Sequence, residues 1–179
     1  SILVMHRMTS PQWLKHLKAT VIGTVSTSAK ADIARACGAD HVIDYSSADF
    51  VAEVAKITGG KGCEMVIDGV GKSTFAGSLE AVASHGHVVL FGSASGPAEP
   101  IAPNSLQKRS ITISGGSLFN HLNDRDELLT RASDVLHAIK VGWLKLNIEE
   151  VISLSQASKA HELLESRKST GKIILSTTK

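Results

Sequence analysis

Cysteine and tyrosine are scarce in this 179-residue sequence, which has two cysteines and one tyrosine. Cys37 and Cys63 lie far apart and form no Cys-x-x-Cys pair, so neither a disulfide framework nor a cysteine-based zinc site is expected. We expect both cysteines to pack as small hydrophobic residues in a reducing, cytoplasmic compartment. The histidines form no cluster either, because His85 and His87 flank Gly86 in a predicted turn with no third ligand nearby. No metal site is predicted.

Long hydrophobic runs and blocks of like charge are also absent from the sequence. The formal net charge is +2 with acids and bases interleaved, which leaves no basic face for nucleic acid and no polybasic membrane patch. No apolar run approaches the ~20 residues of a membrane-spanning helix, and Ile2-Leu3-Val4-Met5 is too short for a signal peptide. With 42% hydrophobic and 20% charged residues, the composition indicates an ordinary globular protein.

Apolar strand-like runs alternate with amphipathic segments of helical length. Strands are predicted at 21–25, 41–43, 65–68, 88–91 and 111–114, and helices over 28–37, 47–57, 74–83 and 124–141. Gly38 is placed to end the helix that precedes it. A second group follows a loop-like segment at 146–150, with a strand at 151–154, a helix at 156–166 and a strand at 171–175.

Continuous apolar strands that alternate with helices are typical of a parallel sheet covered on both faces. Right-handed crossovers then give a doubly wound, Rossmann-like α/β fold. Ligands of such folds bind at the carboxyl ends of the strands. The polar and glycine-rich segments fall there in this sequence, at 26–30, 45–46, 68–71 and 91–95.

The end of the strand at 21–25 indicates which dinucleotide would bind. In a dinucleotide-binding sheet this strand end faces the adenosine ribose, where an Asp or Glu holds the 2′-hydroxyl of NAD. Here Ser26 and Lys30 follow the strand, no carboxylate occurs from Val21 to Lys30, and Tyr45 follows the next strand. Hydroxyl and cationic groups suit the 2′-phosphate of NADP, which a carboxylate would repel.

The order of the short motifs resembles a known family. Ser-Thr-x-x-Lys, Cys-Gly-Ala-Asp-His-Val-Ile-Asp-Tyr, Thr-Gly-Gly-Lys-Gly, Val-Ile-Asp-Gly-Val-Gly-Lys-x-Thr and Phe-Gly-Ser-Ala-Ser-Gly follow one another in this order. The order and spacing are similar to those of the zinc-free quinone oxidoreductases of the medium-chain dehydrogenase/reductase superfamily, over residues 13–175. The resemblance implies an NADPH-dependent reductase of quinones or α,β-unsaturated carbonyls that forms homodimers.

The resemblance also implies roles for single residues. Lys30, Tyr45 and Arg167 match the family's ligands of the adenosine 2′-phosphate, and Ser26 lies where the backbone approaches that group. Val70 and Gly71 match a turn that lines the cofactor. Phe91, Gly92 and Ser93 match the turn beside the nicotinamide ribose. No catalytic residue is assigned, and Asp68 is expected to bond the backbone of the turn that follows it.

The beginning of the chain departs from the family. The first strand and its Ala-x-x-Gly-Gly-Val-Gly turn, which brings backbone amides to the pyrophosphate, are expected to be missing. Met5–Gln12 resembles an insertion in the first helix, and Lys18 stands where the family has a helix-ending glycine. We therefore expect residues 1–146 to be a partial dinucleotide-binding domain and residues 147–179 to return to an absent N-terminal catalytic domain. Such a fragment is expected to be inactive alone.

Two other functions remain open. The chain could be a non-catalytic binding module that dimerises through the edge strand and its continuation at 111–119, which resemble the family's dimer edge. A methyltransferase-like domain is the third alternative, although it would require an acidic residue for the ribose hydroxyls at the end of the second strand.

Overall fold

The chain was analysed as a computed structural model, which describes residues 1–5, 9–25, 27, 29–122, 124–166, 169 and 171–177. Contacts between residues divide the chain into two compact units, Ser1–Val135 and Leu136–Lys179. The first unit holds the sheet that the sequence predicts. The second unit has its own small sheet.

Strands and helices alternate along the described chain. The strands are β1 (Ile2–Met5), β2 (Val21–Val25), β3 (His41–Asp44), β4 (Cys63–Asp68), β5 (Val82–Leu90), β6 (Thr112–Gly115), β7 (Ile148–Ser153) and β8 (Lys172–Ser176). The α-helices are α1 (Thr9–His16), α2 (Ala29–Ala36), α3 (Phe50–Ile57), α4 (Phe75–Ala81), α5 (Arg125–Lys140) and α6 (Ala157–Glu165). Short 3-10 helices cover Pro103–Arg109, Leu118–His121 and Leu154–Gln156.

The first unit is built on a six-stranded parallel sheet in the order β3-β2-β1-β4-β5-β6. This order, in which the chain winds outward from β1 in both directions, is that of the doubly wound dinucleotide-binding fold. The predicted fold class is therefore confirmed. The strand order reverses between β1 and β4, which is where such folds have their ligand crevice.

The expectation that the first strand is missing is wrong. Ile2 pairs in register with Val21 on one side and with Met65 on the other, so β1 is the central strand. Leu3 and Val4 are almost completely buried, one against each face of the sheet. Four apolar residues are too few for a signal peptide, but they suffice for a parallel strand that is covered on both sides.

The segment at 5–12 is not an insertion in a helix, which corrects the second expectation for this region. Met5 ends β1, residues 6–8 lie outside the described residues, and α1 begins at Thr9. Pro11 lies in the first turn of α1, where a missing N–H leaves no intrahelical bond unmade. The sequence before Gly23 contains no glycine, so the family's glycine-rich motif is absent from this part of the sequence.

The core has one layer on each face of the sheet. On one face Leu3, Ile22 and Val66 pack with Val54 of α3 and Phe75 of α4. On the opposite face the buried cluster is Val4, Leu14, Val21 and Ala39, and it receives α1 and the end of α2. Neighbouring residues of a strand therefore serve opposite layers, as the continuous apolar runs require.

Two element boundaries, the starts of α3 and β5, differ from the prediction for identifiable reasons. Helix α3 begins at Phe50 because the Asp49 side chain caps it and accepts a hydrogen bond from Val51 N at 2.9 Å. Strand β5 begins at Val82, directly after α4, and a register shift separates its pairs Cys63–Val82 and Met65–His87. The segment around His85 is thus an irregular part of a strand, with a positive φ at His85, and not the predicted turn.

The second unit contains a parallel pair of strands, β7 and β8, connected by α6. Strand β7 begins at Ile148, inside the segment that the sequence predicts as a loop. Ile152 and Ala160 are buried here, whereas Ile148, Val151 and Leu154 are exposed. Of the two cysteines of the chain, Cys63 is buried as expected, and Cys37 is partly exposed.

Lys18 occupies a backbone conformation that favours glycine. Its φ is 62°, and the bonds Lys18 N to Lys15 O and Ala19 N to Leu14 O form the same helix-ending pattern that Gly38 forms after α2. We expect Lys18→Gly to raise the free energy of unfolding by about 1 kcal/mol, because a side chain in the left-handed region is strained.

Gly38→Ala is the matched control for this test in urea denaturation. It should destabilise the protein, because Gly38 has a φ of 95° and an added Cβ would lie 2.8 Å from Cγ of Lys15. A Lys18→Gly variant that is less stable than the unaltered chain would contradict the strain at Lys18.

Asp40 connects α1, β2 and β3. Its carboxylate accepts hydrogen bonds from Lys15 Nζ at 2.8 and 3.0 Å and from Val21 N at 2.8 Å, and these contacts lower the pKa of Asp40 below its ordinary value. Because the folded-state pKa is depressed, the stabilisation is present at neutral pH and is lost as the pH falls through that pKa.

Asp40→Asn should therefore lower the free energy of unfolding at pH 7 by about 1 kcal/mol, and the difference from the unaltered chain should narrow below about pH 4. Urea denaturation at several pH values measures this. Asp32→Asn is the control, because the Asp32–Arg35 ion pair is exposed and should contribute little. An Asp40→Asn effect of the same size at every pH would contradict the prediction.

Candidate functional site

The carboxyl ends of β1 to β6 lie at one edge of the sheet because these strands are parallel. The predicted site residues that the structure describes all follow one of these strand ends. They form two groups, one after β2 and β3 and the other after β4 and β5, with β1 between them. Ser26 and Arg167, also predicted as cofactor ligands, lie outside the described residues.

The first group contains Lys30 and Tyr45. Tyr45 directly follows β3, and its backbone N–H donates to Val25 O at 3.1 Å, which ties it to the end of β2. Lys30 lies in the first turn of α2, where its backbone N–H donates to Thr27 O at 3.1 Å. Tyr45 is 41% exposed to solvent.

Two carboxylates occur close to this group in the sequence, and each has local partners. Asp44 ends β3, and its Oδ1 accepts hydrogen bonds from Ser46 N at 3.0 Å and Ser46 Oγ at 2.6 Å. Asp32, on α2, forms an ion pair with Arg35 at 2.9 Å. The local bonds of Asp44 are those of an Asx turn, which holds the backbone of residues 44–46 around Tyr45.

The second group is formed by two loops that are hydrogen-bonded to each other. The turn after β4 carries Val70 and Gly71, and Val70 O accepts a hydrogen bond from Ser95 N at 2.8 Å. Gly69 O accepts from Ala94 N at 3.3 Å, and Gly96 O accepts from Lys72 N at 3.0 Å. The turn at 69–71 and the loop at 92–96 are therefore one connected surface at this edge.

Glycine is required at two of the predicted positions for a reason that the sequence did not show. A Cβ at Gly71 would lie 2.6 Å from Gly96 O, and Gly71 has a φ of 87°. A Cβ at Gly92 would lie 2.6 Å from Gly69 O. These glycines allow the two loops to approach each other, and this requirement exists before any ligand is considered.

Phe91 and Ser93 complete the second group. Phe91 is 37% exposed, and its backbone N–H donates to Asp68 O at 3.0 Å. Ser93 lies between Gly92 and the bonded residues of the loop, and its carbonyl accepts from Gly96 N at 2.9 Å. A Cβ added at Gly116 would lie 3.4 Å from Cβ of Phe91, so the chain after β6 runs close to the start of this loop.

Asp68 has more partners than the sequence indicated. Its Oδ1 accepts from Val70 N at 2.8 Å and Gly71 N at 3.1 Å, which confirms the expected bonds to the turn backbone. In addition, the hydroxyls of Thr74 and Ser78 donate to the same carboxylate. In the sequence Thr74 and Ser78 are only two polar residues of a predicted helix, and nothing in the local pattern indicates that both hydroxyls reach Asp68.

The described residues offer no zinc site. They contain no group of three or more His, Cys, Asp or Glu side chains that could hold a metal ion. His87 instead pairs with Ser114 across β5 and β6, with 2.8 Å between Nε2 and Oγ. In the same part of the chain, no helix combines the length and the apolar character that crossing a membrane requires.

The sequence of this chain is similar to those of known dehydrogenases and reductases. A family model described as zinc-binding dehydrogenase matches residues 9–134. The 2-haloacrylate reductase of Burkholderia sp is 39% identical over 165 residues, which are 91% of this chain and 50% of that protein. Quinone oxidoreductase 1 of Escherichia coli (strain K12) is 37% identical over 167 residues, covering 92% and 51%. The chain thus spans about half the length of these curated relatives.

Solved structures give the same result. The quinone oxidoreductase of Pseudomonas syringae pv. Tomato DC3000 superposes with a TM-score of 0.88 at 39% identity, over 97% of this chain and 56% of that chain. The Escherichia coli quinone oxidoreductase complexed with NADPH has a TM-score of 0.88 at 32% identity, over 97% and 57%. The chain therefore belongs to the zinc-binding dehydrogenase family, and its resemblance to the quinone oxidoreductases of that family is confirmed.

Proposed function

We propose that this chain is the NADPH-binding part of an oxidoreductase that transfers hydride from NADPH to a quinone or an α,β-unsaturated carbonyl. The observation that carries the proposal is the chemistry at the ends of β2 and β3. Lys30 and Tyr45 lie at neighbouring strand ends, and no carboxylate occurs between Val21 and Lys30. This corner suits a doubly negative phosphate better than a free ribose hydroxyl.

The two groups of residues would hold opposite ends of the dinucleotide. Lys30 and Tyr45 bind the adenosine 2′-phosphate, with Ser26 and Arg167 as further proposed ligands. Val70 and Gly71 line the cofactor, and Phe91, Gly92 and Ser93 lie beside the nicotinamide ribose. The relatives that support this assignment include a quinone oxidoreductase whose structure contains NADPH.

The bound nicotinamide would supply the hydride, and this chain would orient the ring relative to the acceptor. The connected turn and loop after β4 and β5 form a rigid wall for that purpose, since backbone hydrogen bonds join them at several points. We assign no proton donor. Zinc has no part in the proposal, as the resemblance to the zinc-free quinone oxidoreductases implies.

The 2′-phosphate assignment predicts a nucleotide preference. We expect the chain to bind 2′,5′-ADP more tightly than AMP, and Lys30→Ala to weaken 2′,5′-ADP binding about tenfold or more, because a charge-assisted bond to phosphate is lost. AMP binding should change little. Isothermal titration calorimetry with both nucleotides measures the preference.

Lys56→Ala is the matched control, because it removes the same charge from α3, where Lys56 pairs with Glu53. It should leave the preference for 2′,5′-ADP intact. Equal affinities of the unaltered chain for the two nucleotides would rule out the NADP assignment.

A second feature supports homodimer formation through the segment Ile111–Phe119. Strand β6 is an edge of the sheet, and edge strands can pair with a second copy of the chain. Beyond β6, Leu118 and Phe119 are 67% and 82% exposed, an apolar surface that a dimer would cover. This surface is also the observation that favours a non-catalytic dimerisation module as the alternative function.

Phe119→Glu should weaken the dimer at least about tenfold, because burial of a phenylalanine is replaced by burial of a charge. Sedimentation equilibrium measures the dissociation constant. Leu17→Glu is the control, because Leu17 is another exposed apolar residue, at 63% exposure, and is remote in sequence from β6. It should leave the dissociation constant of the dimer unchanged. A monomeric unaltered chain, or a Phe119→Glu dimer of unchanged affinity, would contradict the proposed interface.

We propose that the second unit contains the segment that returns to an N-terminal catalytic domain. Its two-stranded sheet is small, and exposed apolar side chains of β7 remain uncovered within the unit. Two strands alone are marginally stable in water, so further strands from the catalytic domain would stabilise this sheet. We propose residues 1–146 as the nucleotide-binding domain and residues 147–179 as this connecting segment.

A further inference from the structure

Asp68 is a fully buried carboxylate at the carboxyl end of β4. Removing an ionised carboxylate from water is costly unless hydrogen bonds replace the lost solvation. Here the two backbone donors are Val70 N and Gly71 N, and the two hydroxyl donors are Thr74 and Ser78. The carboxylate is thus satisfied entirely by protein groups, which fixes the position of each donor relative to β4.

The hydroxyl donors tie the start of α4 to this carboxylate. Thr74 Oγ1 lies 3.0 and 2.9 Å from the two carboxylate oxygens, and Ser78 Oγ lies 2.8 Å from Oδ2. Both residues are buried, Thr74 at 6% and Ser78 at 0% exposure. Ser78 Oγ also lies 3.5 Å from Met5 Sδ, so the network reaches the end of β1.

The turn at 69–71, which Asp68 holds, is itself bonded to the loop after β5. Val70 O accepts from both the backbone N–H and the hydroxyl of Ser95, each at 2.8 Å. Ser95 Oγ accepts from Ser73 N at 3.0 Å. A displacement of the turn would therefore displace the loop that carries Gly92 and Ser93.

The corner with Lys30 and Tyr45 depends on different bonds. Tyr45 is tied to Val25, and Lys30 to Thr27. Within the described residues, the hydrogen bonds found for the Asp68 carboxylate lead to the turn after β4 and to α4, and not to β2 or β3. The two ends of the site can thus be perturbed separately.

We propose that Asp68 is a positioning residue. Thr74 and Ser78 hold its carboxylate in place, and through Val70 N and Gly71 N it sets the turn at 69–71 and the loop at 92–96 as one unit against the nicotinamide half of the dinucleotide. The assignment of that half to these loops rests on the proposed function. Asp68 itself is fully buried, and the hydrogen bonds described for its carboxylate all come from protein groups. Its effect is on geometry, because a ring held in the wrong orientation reacts poorly even when it is bound.

Thr74→Val tests this proposal, because valine keeps the shape of threonine and removes the hydroxyl. We expect NADPH binding to weaken about five- to tenfold, since a buried carboxylate loses a donor and the turn shifts. Binding of 2′,5′-ADP, which lacks the nicotinamide half, should stay within about twofold. Thr74→Ser should restore NADPH affinity. Calorimetry on the full chain measures both variants and the unaltered protein.

Thr58→Val is the matched control at the opposite edge of the sheet. Thr58 Oγ1 donates to Val54 O at 2.7 Å and accepts from Gly62 N at 3.0 Å, so it also holds a glycine-rich turn. Loss of the Thr58 hydroxyl should lower the free energy of unfolding. It should not weaken NADPH binding more than 2′,5′-ADP binding. A Thr74→Val variant that weakens both ligands equally, or neither, would overturn the proposal.

Amide hydrogen exchange in the free chain separates this inference from the proposed function. Thr74→Val should accelerate exchange of the Gly71 and Ser95 N–H groups, while that of Tyr45 stays unchanged. Unchanged exchange at Gly71 and Ser95 would overturn the inference even if nucleotide binds as proposed. If 2′,5′-ADP binds no better than AMP while exchange responds as expected, the NADP assignment fails and the coupling of turn and loop stands.

Discussion

The structure of the first unit depends on one strand of four residues. Ile2–Met5 pairs with β2 on one side and β4 on the other, and it joins what would otherwise be two separate sheets. Its side chains alternate between the two core layers, so each layer depends on it as well. Both groups of candidate ligands lie beside its carboxyl end. A parallel strand buried on both faces needs apolar residues and two partners, and little length.

The two ends of the candidate site are built by different means. At the ends of β2 and β3, single backbone bonds place exposed side chains whose charge and hydroxyl chemistry are visible in the sequence. At the ends of β4 and β5, the side chains matter less than the packing of two backbones. Glycines permit that approach, and the buried Asp68 carboxylate holds it from behind. Rigid backbone surfaces of this kind suit the orientation of a flat ring.

Local patterns predicted most of the fold, and they failed where the partner was distant or the backbone irregular. The end of α2 at Gly38 was predicted because a glycine at that place has a local physical reason, which its φ of 95° bears out. Lys18 makes the same turn without that advantage, and only the three-dimensional structure reveals it. Strand β5 was predicted too short, because the register shift beside β4 arises from pairing and leaves no periodic signal.

By itself, the sequence determined the alternation of strands and helices, the parallel and doubly wound class of the fold, and the absence of acid at the end of β2. These are properties of neighbouring residues, which periodicity and side-chain chemistry express directly. Only the tertiary structure decided that Ile2–Met5 is the central strand, and that Gly71 and Gly92 are required by the approach of two loops. It also decided that Thr74 and Ser78 turn their hydroxyls to Asp68. Each of these depends on contacts between distant segments, and a local pattern does not record which segments meet.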